Sequence, residues 1–300
     1  MNALTKQNAK KNYRSHKRAI TTRNIFVYIF LILISIIWLI PFVYLIGQSF
    51  ASSYATQYFF PLIHPELGQP GWTFDNYARL FNDPILPFWK WYLNTLVIAV
   101  ITTILQTIVI LGTSYAFSRL RFKMRKPLMK MILLLGMFPS FLSMIIIYFI
   151  LKLLNLQSSI YSLIIIYVAS AAMQYYIAKG FFDTIPRSLD EAAMIDGANK
   201  NTIFFKVVMP LSKPIVVYTA LISFVAPWGD FMMASYLAGG NLDMMTVAVG
   251  MQTMLAKQYI NQYFNMFCAG GVFISIPIVI LFFWLQKYYV EGITGGAVKG

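Results

Sequence analysis

Long apolar runs, separated by short polar and mostly basic stretches, dominate the pattern of this chain. The runs at residues 25–46, 92–117, 131–151, 159–178, 214–237 and 264–285 each extend over 20 residues or more. About 20 apolar residues let a helix cross a hydrocarbon core roughly 30 Å thick. The apolarity is continuous rather than alternating, and open sheet edges leave backbone groups unsatisfied in lipid, so helices are expected and strands are not. The fifth run is interrupted by Asp230 and fits least well. The pattern predicts an all-α integral membrane protein with six transmembrane helices.

Charge sets the expected orientation. Lys6, Lys10, Lys11, Arg14, Lys17, Arg18 and Arg23 precede the first run without a single acid, and six more basic residues fill 119–130. Lys179, Arg187, Lys200, Lys206 and Lys213 follow the fourth run, and Lys287 and Lys299 follow the sixth. Only Arg79, Lys90, Lys152 and Lys257 then fall on the opposite side. By the positive-inside rule both termini are cytoplasmic. The chain is thus expected to comprise a basic cytoplasmic segment at 1–24, a membrane domain at 25–290 and a cytoplasmic tail at 291–300. An external segment at 48–90 and a cytoplasmic loop at 183–213 interrupt the membrane domain. Pro61, Pro65, Pro70, Pro84 and Pro87 make the external segment irregular or short-helical, and Trp72, Trp89, Trp91 and Tyr92 suit the membrane interface.

Composition narrows the class. Charged residues make up 11% of the chain, against roughly 25% in soluble domains, which excludes a soluble protein. The net charge of +14 lies at the edges of apolar runs, where it orients spans, so nucleic acid is not an expected partner. With Cys268 alone, no disulfide framework or Cys-based metal site is available. The first run is too long for a signal-peptide core and reads as a retained span.

The loop at 183–213 raises a question, because its residues 191–214, EAAMIDGANKNTIFFKVVMPLSKP, are polar and punctuated between two apolar runs. Ser188 and Glu191 fit a capping box that starts a short helix, and Gly197 supplies a left-handed turn to end it. A second helix is expected from Asn201 or Thr202, with Pro210 and Pro214 stopping it. Such a short helix pair is unstable without something to dock on. One reading lays it on the lipid surface. The acids Asp190, Glu191 and Asp196 favour a protein partner over an anionic leaflet.

The spacing of Glu191, Ala192, Ala193 and Gly197, followed by Met209, Pro210 and Leu211, resembles the EAA loop of permease subunits of ATP-binding-cassette importers. Met209 stands where that loop usually has Leu. The form EAAMIDGA is similar to the carbohydrate branch of that family, as are Asn76 and Tyr77, Asn94 to Leu96, Ser114 to Phe117 with Arg119 and Phe122, Met137 to Pro139, and Trp228 to Phe231. The tail GITGGAVKG resembles the end of the second permease subunit of maltose/maltodextrin importers.

The resemblance implies a type I ABC importer permease fold in a bacterial cell membrane. It implies a second permease subunit, two ATPase subunits and an extracellular or periplasmic sugar-binding protein as partners. It also implies ATPase coupling through Glu191, Ala192, Ala193, Asp196, Gly197 and Pro210, with secondary contacts from Gly295, Gly296 and Lys299. The expected cargo is an oligosaccharide of maltodextrin type. The chain has no Gly-Lys pair and hence no GxxxxGK[ST] phosphate loop, so ATP and Mg belong to the partner ATPase and no cofactor or metal is expected here.

Asn94, Gln106, Tyr115, Gln174, Tyr175 and Asp230 are polar or aromatic positions within the runs. Each either faces a sugar pathway or bonds a neighbouring helix. Asp230 is either a pathway carboxylate or a polar contact at a broken helix beside Gly229. A lone intramembrane acid weakens the rival reading, an ATP-independent secondary sugar transporter. A membrane enzyme is disfavoured because no HExxH or GxSxG constellation exists.

Overall fold

The computed structural model describes residues 3–52, 71–138, 140–156, 159–256 and 260–297. Among them the chain is helical, with no strand beyond an antiparallel bridge between Ala51 and Trp72. In chain order the helices are α1 (Ala3–Ser49), α2 (Asp75–Asn82), α3 (Phe88–Arg119), α4 (Arg125–Gly136), α5 (Ser140–Leu153), α6 (Ile160–Ala169) and α7 (Ala172–Thr184). There follow α8 (Arg187–Ile195), α9 (Lys200–Leu211), α10 (Lys213–Gly229), α11 (Met232–Ala238), α12 (Val247–Met254) and α13 (Ile260–Ala297).

Helix α3 is the central post, packing against α6, α7 and α10, while α1 lies against α13. Two apolar clusters fill the bundle. One gathers Phe88, Trp91, Ile98, Leu163, Trp228, Val247 and Met266 around the first half of α3. The other gathers Ile110, Tyr115, Phe182, Ile203, Val208 and Ile215 around its second half.

The expected spans are only partly single helices. Among the described residues, 23–49, 88–119 and 262–288 are each long and apolar enough to cross a membrane unbroken. Two further candidates are bent pairs: α6 with α7 at 43°, and α9 with α10 at 82°. At the first bend Ser170 Oγ donates to the Ile166 carbonyl at 2.6 Å, a back-bond that competes with the helical ladder. The run at 131–151 is not one helix, because it is divided between α4 and α5. Proline at position 139 cannot donate to a helical ladder, and the residue before a proline is pushed out of the helical region. The run at 214–237 breaks at Asp230, whose Oδ1 accepts the Met233 N–H at 3.1 Å and so caps α11. The left-handed Gly239 and Gly240, at φ +54° and +83°, close α11.

Other expectations change as well. Helix α1 begins at Ala3 and so runs through most of the basic segment at 1–24. Trp91 and Tyr92 are core residues rather than interfacial ones, whereas Trp72 and Trp89 are about half exposed. Trp91 lies so close to Gly250 that a Cβ there would come within 2.0 Å of its Cε3, and its Nε1 donates to the Leu242 carbonyl at 2.9 Å. A buried indole needs both an apolar bed and an acceptor, and here α12 and the turn before it supply them. In the 48–90 segment, Asn76 Nδ2 donates to the Ser49 and Ala51 carbonyls at 3.0 and 2.7 Å, and Asn265 Nδ2 also reaches Ala51 at 2.8 Å. Residues 53–70 lie outside the described residues.

Candidate functional site

The α8–α9 pair forms a knob at the end of the bundle where α3 finishes. Helix α8 begins two residues earlier than the capping box required. Its N-cap is Pro186, no side chain caps it, and Ser188 lies inside the first turn. Proline suits this entry because its missing N–H would have been unsatisfied in any case. The C-terminal end follows the sequence expectation. Gly197 takes φ +84°, its N–H reaches the Met194 carbonyl at 3.0 Å, and the Ala198 N–H reaches Ala193 at 2.9 Å. That bond pair is a Schellman motif.

Asn199 caps the next helix, accepting the Thr202 N–H at 2.9 Å. Helix α9 therefore starts at Lys200, slightly before Asn201, and Pro210 does not stop it. Instead the helix widens to a π-helical stretch over Ile203–Val208. A proline lacks the N–H that would bond the carbonyl four residues back and crowds that carbonyl. Wider turns ahead of Pro210 relieve both problems. The chain then turns at Ser212, with Pro214 in the first turn of α10.

One face of the knob is seated and the other is bare. Ile203 and Val208 are buried, and the Tyr115 ring packs on Phe204 and Phe182 at centroid distances of 4.6 and 6.1 Å. Ala193 is half-buried on this side, while Ala192 is exposed with Glu191, Asp196 and Pro210. Outward-facing apolar side chains accompany these acids: Ile195 is 86% exposed, Phe205 67% and Met194 55%. The sequence reading singled out none of the three. An exposed apolar patch ringed by charge marks a protein-contact surface.

Behind the knob lies a cleft of about 330 Å³ between α3 and α8, with Arg119, Arg187, Asp190 and Lys200 in its walls. Arg119 and Asp190 form a buried ion pair at 3.5 Å. Ser118 Oγ donates to Asp183 at 2.6 Å, and both Arg125 and Arg187 donate to the Ser118 carbonyl at 3.3 Å. Cations and donors at the C-terminal end of α3 suit its exposed carbonyls and dipole.

The candidate pathway residues do not assemble into one site. Asn94 and Tyr115 lie 21 positions apart on α3, which at 1.5 Å per residue is about 30 Å. Asn94 donates to the Asp243 and Met245 carbonyls at 2.9 and 3.0 Å and so fastens the turn before α12. Tyr115 and Tyr175 belong to the cluster beneath the knob. Gln106 Nε2 donates to the Tyr167 carbonyl at 2.6 Å, and the Tyr167 hydroxyl donates to Asp230 Oδ2 at 2.6 Å. This Gln106–Tyr167–Asp230 link joins α3 to the two broken spans. Gln174 Oε1 is buried without a hydrogen-bond partner. Helix α13 continues through Gly295 and Gly296, and Lys299 lies outside the described residues.

Comparison with known proteins places this geometry. Residues 108–295 match the family model for the binding-protein-dependent transport system inner membrane component. The maltodextrin transport system permease protein MdxG of Bacillus subtilis (strain 168) is 35% identical over 276 residues, covering 91% of this chain and 95% of the relative. The galactooligosaccharides transport system permease protein GanQ of the same strain is also 35% identical, over 93% of this chain and 96% of the relative. A solved bacterial ABC transporter involved in the import of the acidic polysaccharide alginate shares the fold. Its TM-score is 0.74 at 23% identity, over 89% of this chain and 96% of that one. With a bundle of apolar, partly broken spans, a bare knob at one end and a family match over its second half, this chain belongs to the inner membrane components of binding-protein-dependent transport systems.

Proposed function

We propose that this chain is the membrane-spanning permease subunit of an ATP-driven importer of oligosaccharides of maltodextrin type. In this reading α8 and α9 lie on the cytoplasmic side of a bacterial inner membrane, an orientation that the distribution of Lys and Arg supports. Glu191, Asp196 and the bare side chains of Met194 and Ile195 meet one of two ATPase subunits, which bind ATP and Mg. Gly197 and Asn199 hold the angle between α8 and α9, and Pro210 shapes the end of α9. A second permease subunit completes the pathway, and an external binding protein delivers the sugar.

The observation that carries this reading is the two-sided knob. Its inner face is locked to the bundle by Tyr115, Phe182 and Phe204, and its outer face presents exposed apolar residues beside acids. A lipid-lying helix would turn its apolar face to the membrane and basic residues to the headgroups, whereas the exposed face of α8 and its turn carries Glu191 and Asp196. Asp230 counts against a proton-coupled carrier, because both its oxygens are engaged, by Tyr167 and by the Met233 N–H.

The test is reconstitution of the chain with its companion permease, ATPase pair and binding protein in liposomes. Uptake of labelled maltodextrins that requires ATP supports the reading. Accumulation of sugar by this chain alone, without ATP, contradicts it.

A further inference from the structure

Arg119 is the last residue of α3, and its side chain is 4% exposed. One of its terminal nitrogens donates to the Phe182 and Ile185 carbonyls at 3.0 and 2.7 Å, at and just beyond the C-terminal end of α7. The other lies 3.5 Å from Asp190 Oδ2 in the first turn of α8. A single guanidinium therefore joins three elements: the central post, the bent span before the knob and the knob itself. Only Arg has the fork of donors to do this, since Lys presents one compact charge.

Stability alone does not explain this pair. Desolvating two charges offsets most of their attraction, and well-packed apolar residues would serve the core as well or better. What a directed ion pair adds to the apolar contacts with Tyr115 and Phe204 is a fixed orientation between the end of α3 and the first turn of α8. The pair is also incompletely made. Arg119 Nε and Asp190 Oδ1 are both buried without a hydrogen-bond partner, and the existing contact of 3.5 Å is longer than the 2.7–2.9 Å of a well-formed charged bond. The two terminal nitrogens are thus divided between α7 and α8, so a shift of either element is felt at the guanidinium.

We propose that Arg119 and Asp190 form the joint through which displacement of the α8–α9 knob is delivered to α3. The proposal rests on the knob being an ATPase contact, and it makes Arg119 and Asp190 positioning residues. It predicts that α3, and not only the spans covalently attached to the knob, follows the ATPase.

The test uses the complete reconstituted transporter and reads sugar moved per ATP hydrolysed, a ratio that a merely structural role leaves unchanged. Asp190→Asn keeps the shape and removes the charge, Arg119→Lys keeps the charge and removes the fork, and Asp190→Glu restores the charge. The expected result is a fall of at least about threefold in the ratio for Asp190→Asn and Arg119→Lys, with ATP hydrolysis persisting. Asp190→Glu should stay within twofold of the unsubstituted complex, by roughly the same scale. An unchanged ratio in either assembled variant overturns the joint. So does failure of both variants to assemble, which would make the pair a folding element. If the unsubstituted complex shows no ATP-dependent uptake, the functional reading itself has failed, a result separate from the other two.

Discussion

Gly197 and Gly250 are both glycines that a larger residue cannot replace, for opposite reasons. At Gly197 the surroundings are open, with nothing within 4 Å of an added Cβ, but φ is +84°. Any L side chain there carries a backbone strain of roughly 1–2 kcal/mol, which is relieved by changing the angle between α8 and α9. Gly197→Val is expected to abolish ATP-dependent uptake while the amount of inserted protein stays unchanged, measured by membrane fractionation beside the transport assay. At Gly250 the backbone is ordinary and space is absent, since a Cβ would meet Trp91 at 2.0 to 2.6 Å. Gly250→Ala should lower the stability of the purified protein by about 1–3 kcal/mol, read as a drop in thermal unfolding temperature in detergent. Gly197 was legible in the sequence because a turn glycine after an acidic helix has a local signature. Gly250 was not, because its constraint comes from Trp91, far away in the chain. The Arg119–Asp190 pair was illegible for the same reason.

Among the elements, the helices themselves were better forecast than their ends and most of their interruptions. The apolar runs announced where helices lie because a bilayer requires about 20 apolar residues whatever their order. Continuity of apolarity says nothing about a break inside a run. The break at Asp230 was legible, because a carboxylate beside Gly229 interrupts its run, whereas those between α4 and α5 and at Ser170 fall within charge-free runs. Tyr167 was overlooked because an aromatic in an apolar run reads as packing, although its hydroxyl holds Asp230 at 2.6 Å. Tyr167→Phe should loosen α11 against α6 by about 1 kcal/mol, the scale of interhelical bonds in membranes, visible as faster amide exchange over 230–238. In the knob, Asn199 caps α9 through the Thr202 N–H. Asn199→Ala removes about 1 kcal/mol from that helix, and faster exchange confined to 200–206 is the expected signature.

On the scale of the whole molecule, the proposed function turns the knob into a lever and the bundle into its load. Helix α1 has no buried side chain across its apolar stretch, which leaves a broad face for lipid or a second permease subunit. The proposed orientation is open to direct labelling. Cysteine placed at Ile195, which is 86% exposed, should react only from the cytoplasmic side, and cysteine at Trp72, 51% exposed, only from outside. The native Cys268 is 1% exposed and should stay silent. The most direct measurement is sugar uptake per ATP by the assembled transporter carrying Glu191→Lys and Ile195→Asp, which reverse the chemistry of the outer face without touching the seated one. Uptake should fall to background while the chain remains inserted. Uptake equal to that of the unsubstituted transporter would rule out the knob as the coupling element.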